Sequence, residues 1–201
     1  MMDIDLAVIG GTGVYRLPGI EWLETVEMDT AYGSPSGPVR IARIGARRIA
    51  FLARHGEAHA LPPHKVNYRA NLKALQDLGA GKVLAVNTVG GITERFGPRV
   101  LAVPEQIIDY TWGRISTLCE ENGSEVLHVD FTEPYTGSLR KALLKACMAA
   151  SVAVVDGDGA GTAVDRAGDS TTWLVRKSSM CSSATFPMRR PLPFHPSTGC
   201  R

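Results

Sequence analysis

Ala7-Val8-Ile9-Gly10-Gly11-Thr12-Gly13 decides how this chain is read. The apolar run from Ile4 to Ile9 predicts a buried parallel strand, and it stops in a glycine-rich turn. Glycines suit such a turn because a Cβ would keep backbone N–H groups from closing around phosphate oxygens. Thr12 adds a hydroxyl. Further along, Ala53-Arg54-His55-Gly56 supplies a guanidinium, whose fork of donors matches a phosphate. Together the two segments predict a phosphate site assembled from distant parts of the sequence.

Outward from this turn, the chain alternates strand and helix signals as far as Asp156. Val39–Ile44 and Arg47–Leu52, joined at Gly45-Ala46, read as a hairpin. Val66, Ala70, Ala74, Leu75 and Leu78 recur at helical spacing, which predicts a helix over Lys65–Leu78 ending at Gly79. Lys82–Val86 is a second buried strand, entering the loop Asn87-Thr88-Val89-Gly90-Gly91. Val100–Val103 and Gln106–Asp109 read as strands around Pro104, with another at Glu125–Val129. Leu139, Ala142, Leu143, Ala146 and Ala150 mark a helix, and Val152–Val155 a strand after it. Strands alternating with helices imply an α/β layer fold.

Residues 157–201 differ in character. Of these 45 residues, 20 are Gly, Ser, Thr or Pro, none is Glu, and six basic residues face three acidic ones. No helical period persists there, so the segment reads as an irregular, disordered or loosely attached tail. The expected division is therefore 1–156 as the folded portion and 157–201 as an atypical tail. The segment is too poor in apolar residues for a second domain; a functional tail is one reading, and an altered reading frame accounts better for the abrupt shift.

Composition narrows the function. With 201 residues and 44% hydrophobic content the chain can bury a core. A net charge of +2 gives no case for nucleic-acid binding. No apolar stretch approaches the roughly 20 residues that cross a bilayer, and the N-terminus lacks a secretory signal pattern. Cys119, Cys147, Cys181 and Cys200 are widely spaced without a C-x-x-C pair, which argues against a zinc knuckle or a disulfide framework. A cytoplasmic protein with reduced thiols is the expectation.

Each candidate motif has rivals. Gly11-Thr12-Gly13 begins a dinucleotide fingerprint, but Arg16 occupies the position where a third glycine belongs, and Pro18-Gly19 interrupt any following helix. A tight turn without ligand is the plainer alternative. Leu52-Ala53-Arg54-His55-Gly56-Glu57 resembles the signature of histidine phosphatases, in which the histidine is phosphorylated, although there the motif follows the first strand. His55, His59 and His64 have spacings that suggest a metal cluster, yet Pro62-Pro63 breaks any helix that would align them, so no metal is expected. Asn87–Gly91 follows a buried strand as the first turn does, and carboxyl-end loops of an open α/β sheet converge on the ligand crevice.

Taken in order, Ile9–Gly13, Thr30-Ala31-Tyr32-Gly33-Ser34-Pro35-Ser36, Leu52–Gly56 and Pro63-His64-Lys65-Val66-Asn67-Tyr68-Arg69-Ala70-Asn71 resemble the trimeric purine nucleoside phosphorylases, in the methylthioadenosine and methylthioinosine phosphorylase branch. The likeness continues through Asn87–Gly91, Ile108-Asp109-Tyr110-Thr111 and His128 to Tyr135, and Val86–Gly91 looks most like the methylthioinosine enzymes. The resemblance implies a mixed, twisted sheet flanked by helices, assembled as a homotrimer. It implies a pentosyltransferase reaction in which phosphate attacks C1′ of a 5′-methylthio-nucleoside, releasing the purine and 5-methylthioribose 1-phosphate. Inorganic phosphate is a co-substrate, and neither a metal nor an organic cofactor is used.

Carried over by position, Thr12, Arg54, His55, Thr88 and Val89 would contact phosphate. Val89 and Gly90 would line the base and ribose region, and His128 would reach a neighbouring subunit's pocket. The transition state is cation-like at the sugar, so placing an anionic nucleophile beneath it is the main catalytic task. The leaving purine needs a general acid. In the family that group lies in a second half with E/Q-G-P-R-[FL]-E-T and M-T-x-x-P-E segments, which are not found here, so no catalytic residue is assigned. The likeness fades after Val155-Asp156-Gly157, and a non-catalytic, truncated phosphate-binding product is the alternative.

Overall fold

In the computed structural model, the described residues are 3–91, 94–109, 111, 113–115, 117–118, 128–157, 161–164 and 174–176. The apolar run becomes β1 (Leu6–Gly10), whose last four residues are buried. Beyond Gly11, Thr12–Arg16 forms a single 3-10 turn instead of a helix, as expected from Pro18-Gly19. The chain then forms β2 (Glu21–Val26), β3 (Val39–Ile44) and β4 (Arg47–Ala53). The β3–β4 hairpin is joined at Gly45, whose φ of 59° suits a tight reversal.

A mixed sheet of order β10-β5-β1-β4-β3-β2 results, with β5 (Lys82–Ala85) and β10 (Leu174–Arg176) completing it. Its centre is parallel: β1 pairs with β4 on one side and β5 on the other. Alternate residues face opposite sides. Ala7, Ile9, Val39, Ile41, Ala50, Leu52 and Val83 meet Ala74, Leu75 and Leu78 on one face. Val8, Ala42 and Phe51 form the other face, under Val14, Tyr15 and Trp22.

The helix over that first face is α1 (Tyr68–Asp77), shorter than the expected Lys65–Leu78. Pro63–Lys65 instead forms a 3-10 turn, and Asn67 caps α1 by accepting a hydrogen bond from the Ala70 N–H through its side chain. Gly79, at φ 95°, ends it as expected. β2 was not legible in the sequence, because its exposed Glu21 and Glu24 dilute the alternation.

The later part of the chain forms two further parallel pairs, β6 (Leu101–Val103) with β8 (Val154–Asp156) and β7 (Gln106–Asp109) with β9 (Gly161–Val164). In the chain α2 (Gly137–Ala149) falls between β7 and β8, and it packs on the β6–β8 pair. The strand expected at Val152–Val155 starts later, because Ser151 adopts φ 53° and the Val152 N–H still bonds the Cys147 carbonyl at the helix end. Of the strand expected at Glu125–Val129, residues 125–127 lie outside the described residues, and 128–129 have no regular structure. Beyond Asp156, where an irregular tail is expected, β9 and β10 are described. The other residues from 158 onward lie outside the described set.

Candidate active site

The parallel register sets the site. Gly10 pairs with Ala53 and Ile9 with Ala85, so the carboxyl ends of β1, β4 and β5 finish side by side. Backbone bonds extend this alignment past the strands: the Arg54 N–H donates to the Gly10 carbonyl at 2.9 Å, and the Val86 N–H to the Ile9 carbonyl at 2.8 Å. Three loops therefore leave one end of the sheet together, carrying Gly11-Thr12, Arg54-His55 and Asn87-Thr88. Such an end is where open α/β sheets bind ligands.

Gly10 has a steric requirement. A Cβ there would sit 2.5 Å from Val14 Cγ1, so glycine lets the 3-10 turn fold back over β1 without displacing Val14. Gly11 and Gly13 have open space where a Cβ would be. They leave the turn's backbone bare, as an anion cradle requires.

Arg54 is 5% exposed, and its Nη2 donates to the Val86 carbonyl at 2.7 Å. This bond ties the end of β4 to the end of β5 across β1 and fixes the guanidinium at the junction. His55 is also buried. Its Nδ1 lies 2.7 Å from the Leu61 carbonyl, which can only accept, so Nδ1 carries a proton and the tautomer is set. The turn closes with the Gly56 N–H on the Ala53 carbonyl and the Leu61 N–H on the His55 carbonyl. Gly56 is at φ 74°, and a Cβ there would lie 3.0 Å from the Ser36 carbonyl oxygen.

Ser36 belongs to a loop whose attachment the sequence reading missed. Asn71 is 2% exposed; its Oδ1 accepts from the Ser36 N–H at 2.7 Å, and its Nδ2 donates to Ser36 Oγ at 3.0 Å. Asn67 Nδ2 donates to the Tyr32 carbonyl at 2.7 Å. Two asparagines of the α1 segment thus strap residues 32–36 against the Gly56 turn. The available signal was an asparagine on a helical stripe shared with Ala74, Leu75 and Leu78: a polar residue at a buried position needs a partner.

The remaining expected site residues are placed less closely. Thr88, Val89 and Gly90 are exposed, Val89 at 54%. Gly91 packs tightly, since a Cβ there would lie 2.0 Å from the Phe96 carbonyl oxygen. His128 is exposed in a segment without regular structure. His55 and His59 have ring centroids 4.8 Å apart, but no group of three or more His, Cys, Asp or Glu among the described residues could hold a metal ion. No described helix is long and apolar enough to cross a membrane.

Known proteins resemble this chain in sequence and in fold. The probable S-methyl-5′-thioinosine phosphorylase of Xanthomonas campestris is 62% identical over 155 residues, covering 77% of this chain and 62% of that protein. The S-methyl-5′-thioadenosine phosphorylase of Hyperthermus butylicus is 41% identical over 140 residues, covering 70% of this chain and 50% of the other. Among solved structures, a methylthioadenosine phosphorylase from an Antarctic soil metagenomic library matches with a TM-score of 0.72 and 32% identity, over 78% of this chain and 54% of that one. The chain thus spans less than two thirds of the length of these relatives. The histidine phosphatase reading of Leu52–Glu57 gives way, because the family profile described as the phosphorylase superfamily matches residues 5–163. On that match, and on the parallel strand ends that carry its loops, the chain belongs to the phosphorylase superfamily.

Proposed function

We propose that this chain carries the phosphate-binding portion of a purine nucleoside phosphorylase for 5′-methylthio-nucleosides, with methylthioinosine favoured over methylthioadenosine. The observation that carries this reading is the junction of strand ends, where buried Arg54 is tied to Val86 beside the Gly10-Gly11 turn. Similarity to the Xanthomonas protein supports the choice of nucleoside. In this reading Thr12, Arg54, His55, Thr88 and Val89 hold inorganic phosphate. Val89 and Gly90 line the sugar and base, and His128 acts in a neighbouring subunit's pocket of a homotrimer. Residues 1–156 are read as the main family portion and 157–201 as a tail of atypical composition, from which β9 and β10 join the sheets. The reaction uses no metal or organic cofactor, and the compartment is the cytoplasm.

The chemistry follows from the position of charge. As the bond from C1′ to the purine lengthens, the sugar becomes cationic, and a phosphate held on the opposite side both stabilises it and attacks it. A guanidinium withdrawn from water interacts with that phosphate more strongly than an exposed one does. It also holds the nucleophile at a fixed depth, so binding energy goes into alignment.

The exposure of Thr88, Val89, Gly90 and His128 favours a second reading, phosphate binding without turnover. One experiment separates the two. Titration of the 201-residue chain with inorganic phosphate should give saturable heat, lost at least about 100-fold in affinity in Arg54→Ala, because charge-assisted bonds to phosphate disappear. Phosphate-dependent release of hypoxanthine from methylthioinosine then decides for turnover. Binding without release decides for the second reading, and equal affinity in Arg54→Ala refutes both.

A further inference from the structure

On the sheet face away from α1, a stack of side chains has no place in the function above. Arg40 on β3 lies directly opposite Phe51 on β4 in the antiparallel register. Its guanidinium carbon sits 4.1 Å from the centroid of the Trp22 ring and 5.0 Å from that of Tyr15. The two rings meet edge to face at 5.7 Å, and Trp22 meets buried Phe51 at 5.4 Å. Four elements are joined: β2 gives Trp22, β3 Arg40, β4 Phe51, and the 3-10 turn Thr12–Arg16 gives Tyr15. Arg40 makes no ion pair with a carboxylate among the described residues, so the aromatic faces are its electrostatic partners.

Tyr15 is the link that matters. It lies two residues past Gly13, and its ring packs against the Val8, Ala42 and Phe51 cluster, with Phe51 two residues before the end of β4. Its ring thus runs from the glycine turn to the end of β4. Val14 folds over Gly10 and packs against the Val8, Ala42 and Phe51 cluster, and its N–H bonds the Gly11 carbonyl at 3.2 Å. A one-turn 3-10 segment has little stability of its own, so its position depends on what its side chains grip.

We propose that Arg40 and Trp22 are positioning residues that clamp Tyr15 and so set the spacing between the glycine turn and the Arg54 guanidinium. The inference rests on the phosphate reading of that site. Its consequence is that two residues on the outer strands β2 and β3 control phosphate affinity without touching phosphate.

The test uses the full chain with Arg40→Met, which keeps length and apolar bulk but loses charge and planarity, and with Trp22→Leu. Arg40→Lys is the partial rescue. Amide hydrogen exchange at Val14 is followed against core amides of β1 and β4, without phosphate, beside calorimetric titration with inorganic phosphate. We expect Val14 exchange to quicken about tenfold in Arg40→Met and Trp22→Leu while core amides hold. Phosphate affinity should fall about tenfold in both and recover partly in Arg40→Lys. Unchanged Val14 exchange in both variants overturns the clamp, whatever phosphate does. So does an equal loss of protection at every amide, which marks a general stability role. If Val14 loosens but phosphate affinity holds, the clamp fails as a determinant of affinity. Failure of the phosphate reading is recognised separately, by an Arg54→Ala chain that binds as the parent does.

Discussion

The two halves of the described chain are built to different depths. From Ile4 to Ala85 the strands and α1 enclose a core in which Ala7, Val39, Ile41, Ala50, Leu52, Ala74, Leu75 and Val83 are all 0% exposed. From Leu101 to Asp156 the strands come in pairs, α2 has no buried residue, and Leu101, Ile108, Val129, Met148 and Val152 stand at least 39% exposed. The residues proposed to hold phosphate lie mainly on the first half, and His128, proposed for the sugar side, lies on the second. The proposed phosphate end is therefore anchored mainly on a buried core, whereas the proposed sugar side borders surfaces that the described residues leave open.

The largest expected effect tests that contrast at its root. Leu75→Ala removes a side chain wedged between α1 and the parallel strands, so it should cost about 2–5 kcal/mol in urea denaturation. A loss below about 1 kcal/mol would mean that the first half is not the rigid body its burial implies. Next comes Gly10→Ala, where the new methyl meets Val14 Cγ1. We expect a loss of about 1–3 kcal/mol, with Gly11→Ala far milder because nothing stands where its Cβ would be. Adding Val14→Ala to Gly10→Ala should return part of the loss if the clash is the cause.

These sites show what the sequence could and could not carry. The apolar run and its glycine turn were legible because a buried parallel strand leaves a continuous signature and glycines mark where it ends. Arg54 was legible by residue type, but its bond to the Val86 carbonyl was not, since it depends on β5 lying on the far side of β1. β2 escaped notice because edge strands expose charged residues on both faces. The straps from Asn67 and Asn71 to residues 32–36 lay within a quoted motif, yet a sequence separation of 35 residues hides such pairing. The clamp on Tyr15 was hidden likewise, as it draws on four elements.

The second half offers a pH test. Tyr135 is 6% exposed, and burial pushes its hydroxyl up to about 12, against the opposing charge of Arg140. Arg140 itself fastens α2 to the strand ends, through the Pro104 carbonyl at 2.8 Å and the Asp156 carboxylate. The folded state thus favours the neutral phenol. Tyr135 contributes full stability below its unfolded value near 10, and loses it as pH rises towards about 12, because only the unfolded chain releases the proton in that window. The parent should lose on the order of 1–2 kcal/mol more than Tyr135→Phe between pH 9 and 11, read by urea midpoints. Parallel pH profiles would remove Tyr135 from the anchored part of the second half.

The smallest effect is the most discriminating. Met148 on α2 is 68% exposed, so Met148→Ala should change stability by no more than about 0.5 kcal/mol. A helix propensity gain for alanine offsets the little packing lost. A loss above about 1 kcal/mol would show that α2 is covered in solution, and would break the contrast between the halves. Dependence of that loss on protein concentration then identifies the cover: a loss that shrinks with dilution comes from association between copies, which the homotrimer reading requires. A loss that is independent of concentration comes from within the chain, and places the missing contact outside the described residues.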